Sequence, residues 1–155
     1  MRLWPRKPAA SREGQPRLLV PFAEGALDLA VLQAAIRIAR AEDAILVPAF
    51  LVVVPLEFDV EAALERQAEV AMPLLEAVEN AAARAGVPVD ARIERGRTPI
   101  DALERLWDAE SFDRILVPAL APGHPGFSGK DVAWMLAHAP SETLVLRPSP
   151  DQASA

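Results

Sequence analysis

Apolar and polar positions along this chain divide it into strands and helices in alternation. Arg17 to Phe22 (RLLVPF) is a short apolar run containing a proline, and Ala44 to Val54 is longer and just as continuous. Runs that are apolar on both parities suit strands covered by helices on both faces. Between them, Ala26 to Ala41 places Leu27, Val31, Ala34 and Ile38 on one helical face. Asp59 to Ala85 is again helical, and Pro73 inside it predicts a kink or a division. Gly86 then takes the position just past a helix end, with Pro88 as a stop.

Val89 to Glu94 alternates strictly between apolar and other residues, which predicts a half-exposed strand at a sheet edge. Thr98-Pro99-x-Asp101 combines an N-cap, a proline at the first helical position and an acid at the third. Ile100, Leu103 and Trp107 mark the buried stripe of the helix that follows. The last part reads as a strand (Ile115 to Val117), a loop (Ala121 to Gly129), a helix (Asp131 to Ala139) and a strand (Thr143 to Leu146). Five strands alternating with four main helices predict a three-layer α/β domain on a parallel, doubly wound sheet. Pro48 lies within a strand of this scheme, where its missing donor predicts a bulge or an irregular start. The expected organisation is a flexible basic arm at 1–16, one domain at 17–148 and a tail at 149–155.

Charge sharpens that division. The first 17 residues hold Arg2, Arg6, Lys7, Arg12 and Arg17 against Glu13, a net of +4, which leaves −10 on the rest. An acidic body disfavours nucleic acid as a partner, because phosphate neutralisation needs a basic surface. The absence of cysteine removes disulfides, thiolate metal sites and cysteine nucleophiles. No apolar run approaches the roughly 18 residues of a membrane span. The arm lacks the apolar core of a secretory signal, so cytoplasm is the expectation.

The chemistry-bearing stretch is Gly123-His124-Pro125-Gly126-Phe127-Ser128-Gly129-Lys130. In a parallel sheet the loop after a strand lies at the carboxyl edge, where small ligands bind. Glycines, a hydroxyl and an ammonium at a helix start would suit an anion. The spacing is not that of a Walker A loop, since Gly123 and Gly129 are too far apart and Asp131 follows Lys130. The alternative is a tight loop capped by Ser128 with Lys130 in solvent. His138, near a helix end, is placed to cap carbonyls, and Trp107 and Trp134 to pack. No Ser-His-Asp set or isolated carboxylate pair stands out, so acid–base or covalent catalysis has little support.

From Arg17 to Pro148 the chain resembles the universal stress protein family. The likeness rests on Leu18-Leu19-Val20-Pro21, Gly86-Val87-Pro88-Val89, Glu94-Arg95-Gly96-Arg97-Thr98-Pro99 and Phe112 to Val117. Gly129, Ala137-His138-Ala139-Pro140 and Leu144-Val145-Leu146-Arg147 complete it in order. The resemblance implies the adenine-nucleotide α-hydrolase-like sheet order 3-2-1-4-5 and a dimer through the last strand, at Thr143, Leu144, Val145 and Leu146. Together with the loop's own chemistry, it puts the candidate nucleotide site on Pro21, Phe22 and Ala23 and on Gly123, Gly126, Ser128, Gly129 and Lys130.

Family members that bind ATP carry G-x2-G-x9-G-[S/T] after the fourth strand and an acid past the first; another branch keeps the fold without binding. Here Pro118 and Ala121 replace the first two glycines, and the spacing to Gly129 is two positions short. Lys130 stands for the hydroxyl residue, and Ala23 for the acid, with Glu24 adjacent. The resulting expectation is a non-enzymatic regulatory or stress-response module that dimerises and acts through protein partners, with ATP binding lost or altered. The alternative is an adenine-nucleotide binder or slow ATPase using the 121–130 loop.

Overall fold

The computed structural model describes residues 13–23, 27–60, 65–121 and 124–149. Nine elements follow in alternation: β1 (Arg17–Ala23), α1 (Leu29–Glu42), β2 (Ile45–Val53), α2 (Glu65–Arg84), β3 (Arg92–Gly96), α3 (Pro99–Ala109), β4 (Arg114–Pro118), α4 (Gly129–His138) and β5 (Glu142–Leu146). All strand pairs are parallel, in the order β3-β2-β1-β4-β5. This is the expected three-layer α/β fold.

Alternation along the strands separates two cores. Leu18, Val20, Phe22, Leu46 and Leu116 pack with Val31, Leu32 and Ala35 of α1 and Val78 and Ala82 of α2. Leu19, Ala23, Val47, Ala49, Leu51, Ile115 and Val117 pack with Ala102, Leu103 and Leu106 of α3 and Met135 of α4. Both parities of the inner strands are therefore buried, which is why their sequences are continuously apolar.

Helix boundaries follow local chemistry. Asp28 caps α1, accepting from the Val31 amide at 3.0 Å, so the helix starts at Leu29 rather than at Ala26. Thr98 caps α3 as expected, with Pro99 in its first turn. Asp101 accepts from the Arg97 amide at 2.7 Å, tightening the turn out of β3. Gly86 adopts φ +73°, as a residue past a helix end commonly does. Pro73 does not divide α2, which continues through it to Arg84. That proline is exposed, so the carbonyl it leaves without a backbone donor lies on the side open to water.

The bulge expected at Pro48 is also absent: β2 keeps its register with β1 from Ile45 to Leu51. Leu46 directs both its amide and its carbonyl toward the β3 side, to Pro88 and Asp90. By alternation Pro48 faces that side too. The β2–β3 pairing lapses there, between an isolated bridge at Leu46 and Val89 and the regular ladder from Ala49 and Arg92. The missing donor is accommodated by a delayed start of β3.

Gly96 ends β3 against the first turn of α3. A Cβ there would lie 2.4 Å from the Ala102 amide nitrogen and 2.8 Å from its Cα. Backbone cannot yield as a flexible side chain can. Gly96→Ala should therefore lose about 1–3 kcal/mol, read as a lower urea midpoint at unchanged slope. An unchanged midpoint would show that α3 is free to move off β3.

Candidate functional site

In this strand order the topological switch lies between β1 and β4, whose carboxyl ends face the loops after each. Two prolines open the sheet there. Pro16 accepts from the Ile45 amide, so even positions of β1 face β2, and Pro21 faces β4. The Ala119 amide bonds to Leu146, so its neighbour Pro118 faces β1. Neither proline has a donor to give, and the β1–β4 register stops at Leu19 and Ile115. The strands are unpaired beyond that point, at the end where the loops meet.

The loop after β4 is turned inward. The His124 amide bonds to the Ala121 carbonyl at 3.1 Å, and Gly126 adopts φ +141°, a conformation open to glycine. Phe127 is then buried, 7% exposed, in the same cluster as Ala23, Leu51, Val117 and Met135. Ser128 caps α4 in a reciprocal box: its hydroxyl accepts from the Asp131 amide at 3.1 Å, and its own amide donates to Asp131 Oδ2 at 3.2 Å. Two donors of the helix start are thus used within the protein. The Asp131 carboxylate also occupies the positive end of the helix dipole. What remains for an external anion is the amides of Gly129 and Lys130 and the exposed Lys130 ammonium.

The other predicted site residues separate. Pro21, Phe22 and Ala23 are all buried in β1. Ala23 shares the Phe127 cluster, whereas Phe22 points to the opposite face, under α1. Gly126, Ser128, Gly129 and Lys130 are exposed around the α4 start, and Gly123 and Glu24 lie outside the described residues. His138 caps its helix as expected, Nδ1 donating to the Trp134 carbonyl at 2.9 Å.

Two arginine sites were not foreseen. Arg97, following β3 at the carboxyl edge, donates from Nη1 to the carbonyls of Val54, Pro55 and Phe58 at 3.3, 2.6 and 2.7 Å, holding the chain after β2. At the opposite, amino edge, Arg17 bridges Glu110 at 2.8 Å and Asp90 at 3.3 Å, and its Nη1 donates to the Ser111 carbonyl. Arg92 grips Glu110 with two bonds, at 2.7 and 2.8 Å, and also pairs with Asp90. Arg114 pairs with Glu42 and Glu142. The alternation of Val89 to Glu94 marked Arg92 as polar, but of its two partners only Asp90 is local and Glu110 lies at the end of α3.

Among the described residues no group of three or more His, Asp or Glu is arranged to hold a metal, and no helix is long and apolar enough to cross a membrane.

No family model matches this chain, and no curated protein matches it by sequence. Its fold does match solved structures. A universal stress protein in complex with cAMP aligns with TM-score 0.61 at 20% identity, over 86% of this chain and 98% of that one. A universal stress protein family protein from Arabidopsis thaliana with AMP bound aligns with TM-score 0.61 at 18% identity, over 88% and 94%. A protein of the same family from Burkholderia pseudomallei aligns with TM-score 0.58 at 20% identity, over 83% and 94%. The chain has the universal stress protein fold.

Hydrogen bonds from Arg92 hold the Glu110 carboxyl down to about 2, from an ordinary 4.5; partial burial opposes this and Arg17 reinforces it. A depressed carboxylate contributes its full stability above the unfolded value and loses it as pH falls. Glu110 is 24% exposed, so solvent screening reduces the contribution. Glu110→Gln should lower stability by about 1–2 kcal/mol at neutral pH. The gap from the native protein should close between pH 4.5 and 2 in urea titrations run at stepped pH. A gap independent of pH would place the effect outside this network.

Proposed function

We propose that the chain is a universal-stress-protein-like regulatory module of the cytoplasm. It acts as a homodimer through protein partners, without a catalytic step of its own, and its ATP binding is lost or altered. Its domain spans 17–148, with 1–16 as a basic arm and 149–155 as a tail. The observation that carries this reading is the start of α4, where two donors are used within the protein. Phe127 fills core space, and Ser128 and Asp131 use each other's amides. The loop that would cradle phosphates is also shortened and stiffened by Pro118 and Pro125.

A second reading, adenine-nucleotide binding at the same edge, has two observations in its favour. The sheet is open between the ends of β1 and β4. A Cβ on Gly129 would meet nothing within 4 Å, so no internal contact requires a glycine there, whereas a close phosphate would. The Arabidopsis protein with AMP and the protein in complex with cAMP make mononucleotides the first candidates.

Isothermal titration of the full chain with ATP, ADP, AMP and cyclic AMP separates the two readings. No saturable heat is expected with any of the four. Micromolar binding that is lost in Lys130→Glu would replace the first reading with the second.

The free edge of β5 supports a dimer interface there. Leu146 faces β4 through its bond from Ala119, so Thr143 and Val145 direct their backbone groups to the free side. The Val145 side chain is 43% exposed. Val145→Pro removes an outward donor and should leave the β4–β5 ladder intact. Light scattering should report a dimer for the native chain and a monomer for the variant. A dimer in both would exclude this edge.

A further inference from the structure

The ends of α3 and α4 enclose a cleft of about 270 Å³, lined by Glu104, Trp107, Asp108, Trp134, His138 and Pro140. Trp107 and Trp134 are near-parallel, 6° apart, with centroids separated by 6.0 Å. Planes in full face-to-face contact lie about 3.5 Å apart, so at 6.0 Å neither indole fully covers the other. Neither ring therefore shields the whole facing π surface of the other. His138 stacks on Trp134 with centroids 4.5 Å apart.

The polar groups facing this cleft are acceptors. The Trp134 carbonyl can only accept, so the bonded Nδ1 of His138 carries a proton, and in that tautomer Nε2 is an acceptor. Glu104 and Asp108 stand one turn apart on α3, on either side of Trp107 along the chain. Neither carboxylate is paired with a cation among the described residues, although Asp101 and Glu110 of the same segment are. Trp107 Nε1 is buried without a partner, so its ring gains no hydrogen bond from the helices that hold it.

We propose that this cleft binds the guanidinium of an arginine side chain presented by a partner protein. A guanidinium is flat enough to lie on an indole face and is attracted by its quadrupole. It also carries donors along its edge that match two carboxylates and an imidazole acceptor. An ammonium matches the charge but not the plane. The surrounding body carries −10, which draws a basic segment toward the cleft from a distance. The site supplies a chemistry for the partner proposed above, yet it requires neither loss of nucleotide binding nor the β5 dimer.

The test uses the full chain with Trp4→Phe, which leaves Trp107 and Trp134 as the two indoles whose emission is read. N-acetyl-arginine amide should change the emission saturably at low ionic strength, and the neutral isostere N-acetyl-citrulline amide should not. Glu104→Gln with Asp108→Asn should weaken the arginine response at least about tenfold. Both positions are exposed, so the variant should keep the native unfolding midpoint. Equal responses to arginine and citrulline would overturn the proposal, as would an undiminished response in the double variant. Replacing Arg2, Arg6, Lys7 and Arg12 by alanine should leave the response unchanged. Tighter binding in that variant would mean that the chain's own arm competes for the cleft, and the assignment to a partner would fall.

Discussion

A strand can be registered only where it has amide protons to give, and that constraint shapes this sheet more than any side-chain contact. The central pair, β1 with β2, runs in unbroken register from Arg17 and Ile45 to Ala23 and Leu51. Pro21 interrupts nothing there because its missing donor points the other way. Pro48 likewise points away from β1, toward the place where β3 has not yet begun. Pro21 and Pro118 face the gap between β1 and β4, so the sheet is opened at one defined place. Leu-Val-Pro recurs at 19–21, 46–48 and 116–118, and each of its prolines marks a bond the sheet does without.

The two edges of the sheet are finished by different physics. The amino edge is sealed by charge, with Arg17, Arg92 and Arg114 each shared between carboxylates of separate elements. Coupled, partly shielded pairs of this kind tie α3, β1 and β3 together more effectively than isolated surface pairs do. The carboxyl edge is finished by backbone satisfaction instead. Arg97 takes the carbonyls after β2, Asp101 takes the Arg97 amide, and Ser128 and Asp131 close the α4 start. A ligand at the amino edge would have to displace ion pairs, whereas one at the carboxyl edge competes only with a helix cap worth about 1 kcal/mol.

Local signatures in the sequence were readable because they act over a few residues. Thr98-Pro99-x-Asp101 and Gly86 carry their own geometry, and the double-parity apolar runs can only belong to covered strands. The α1 start was misplaced by three residues because Asp28, not the apolar period, decides it. Pro73 divides no helix and Pro48 makes no bulge, since the effect of a proline depends on which side its missing donor faces and whether water reaches the orphaned carbonyl. The arginine network was illegible for another reason: Arg17 and Glu110 lie 93 positions apart, and nothing local marks either as a partner. At the candidate site the order of glycines was plain, but the inward turn of Phe127 depends on a core that only the assembled sheet provides.

Helix α4 joins these themes, because among its buried side chains only Met135 is fully withdrawn from solvent. Val132, Trp134 and Ala139 pack half-buried on the same core, and the cap at Ser128 and the stack of His138 on Trp134 hold the two ends. A ten-residue helix is about 15 Å long and behaves as one rigid rod. Occupation of the aromatic cleft and release of the cap are therefore changes to the same body. The loop after β4 and the Trp107–Trp134 cleft lie at opposite ends of α4, and the packing of Val132, Met135 and Ala139 decides how far a change at one end is felt at the other.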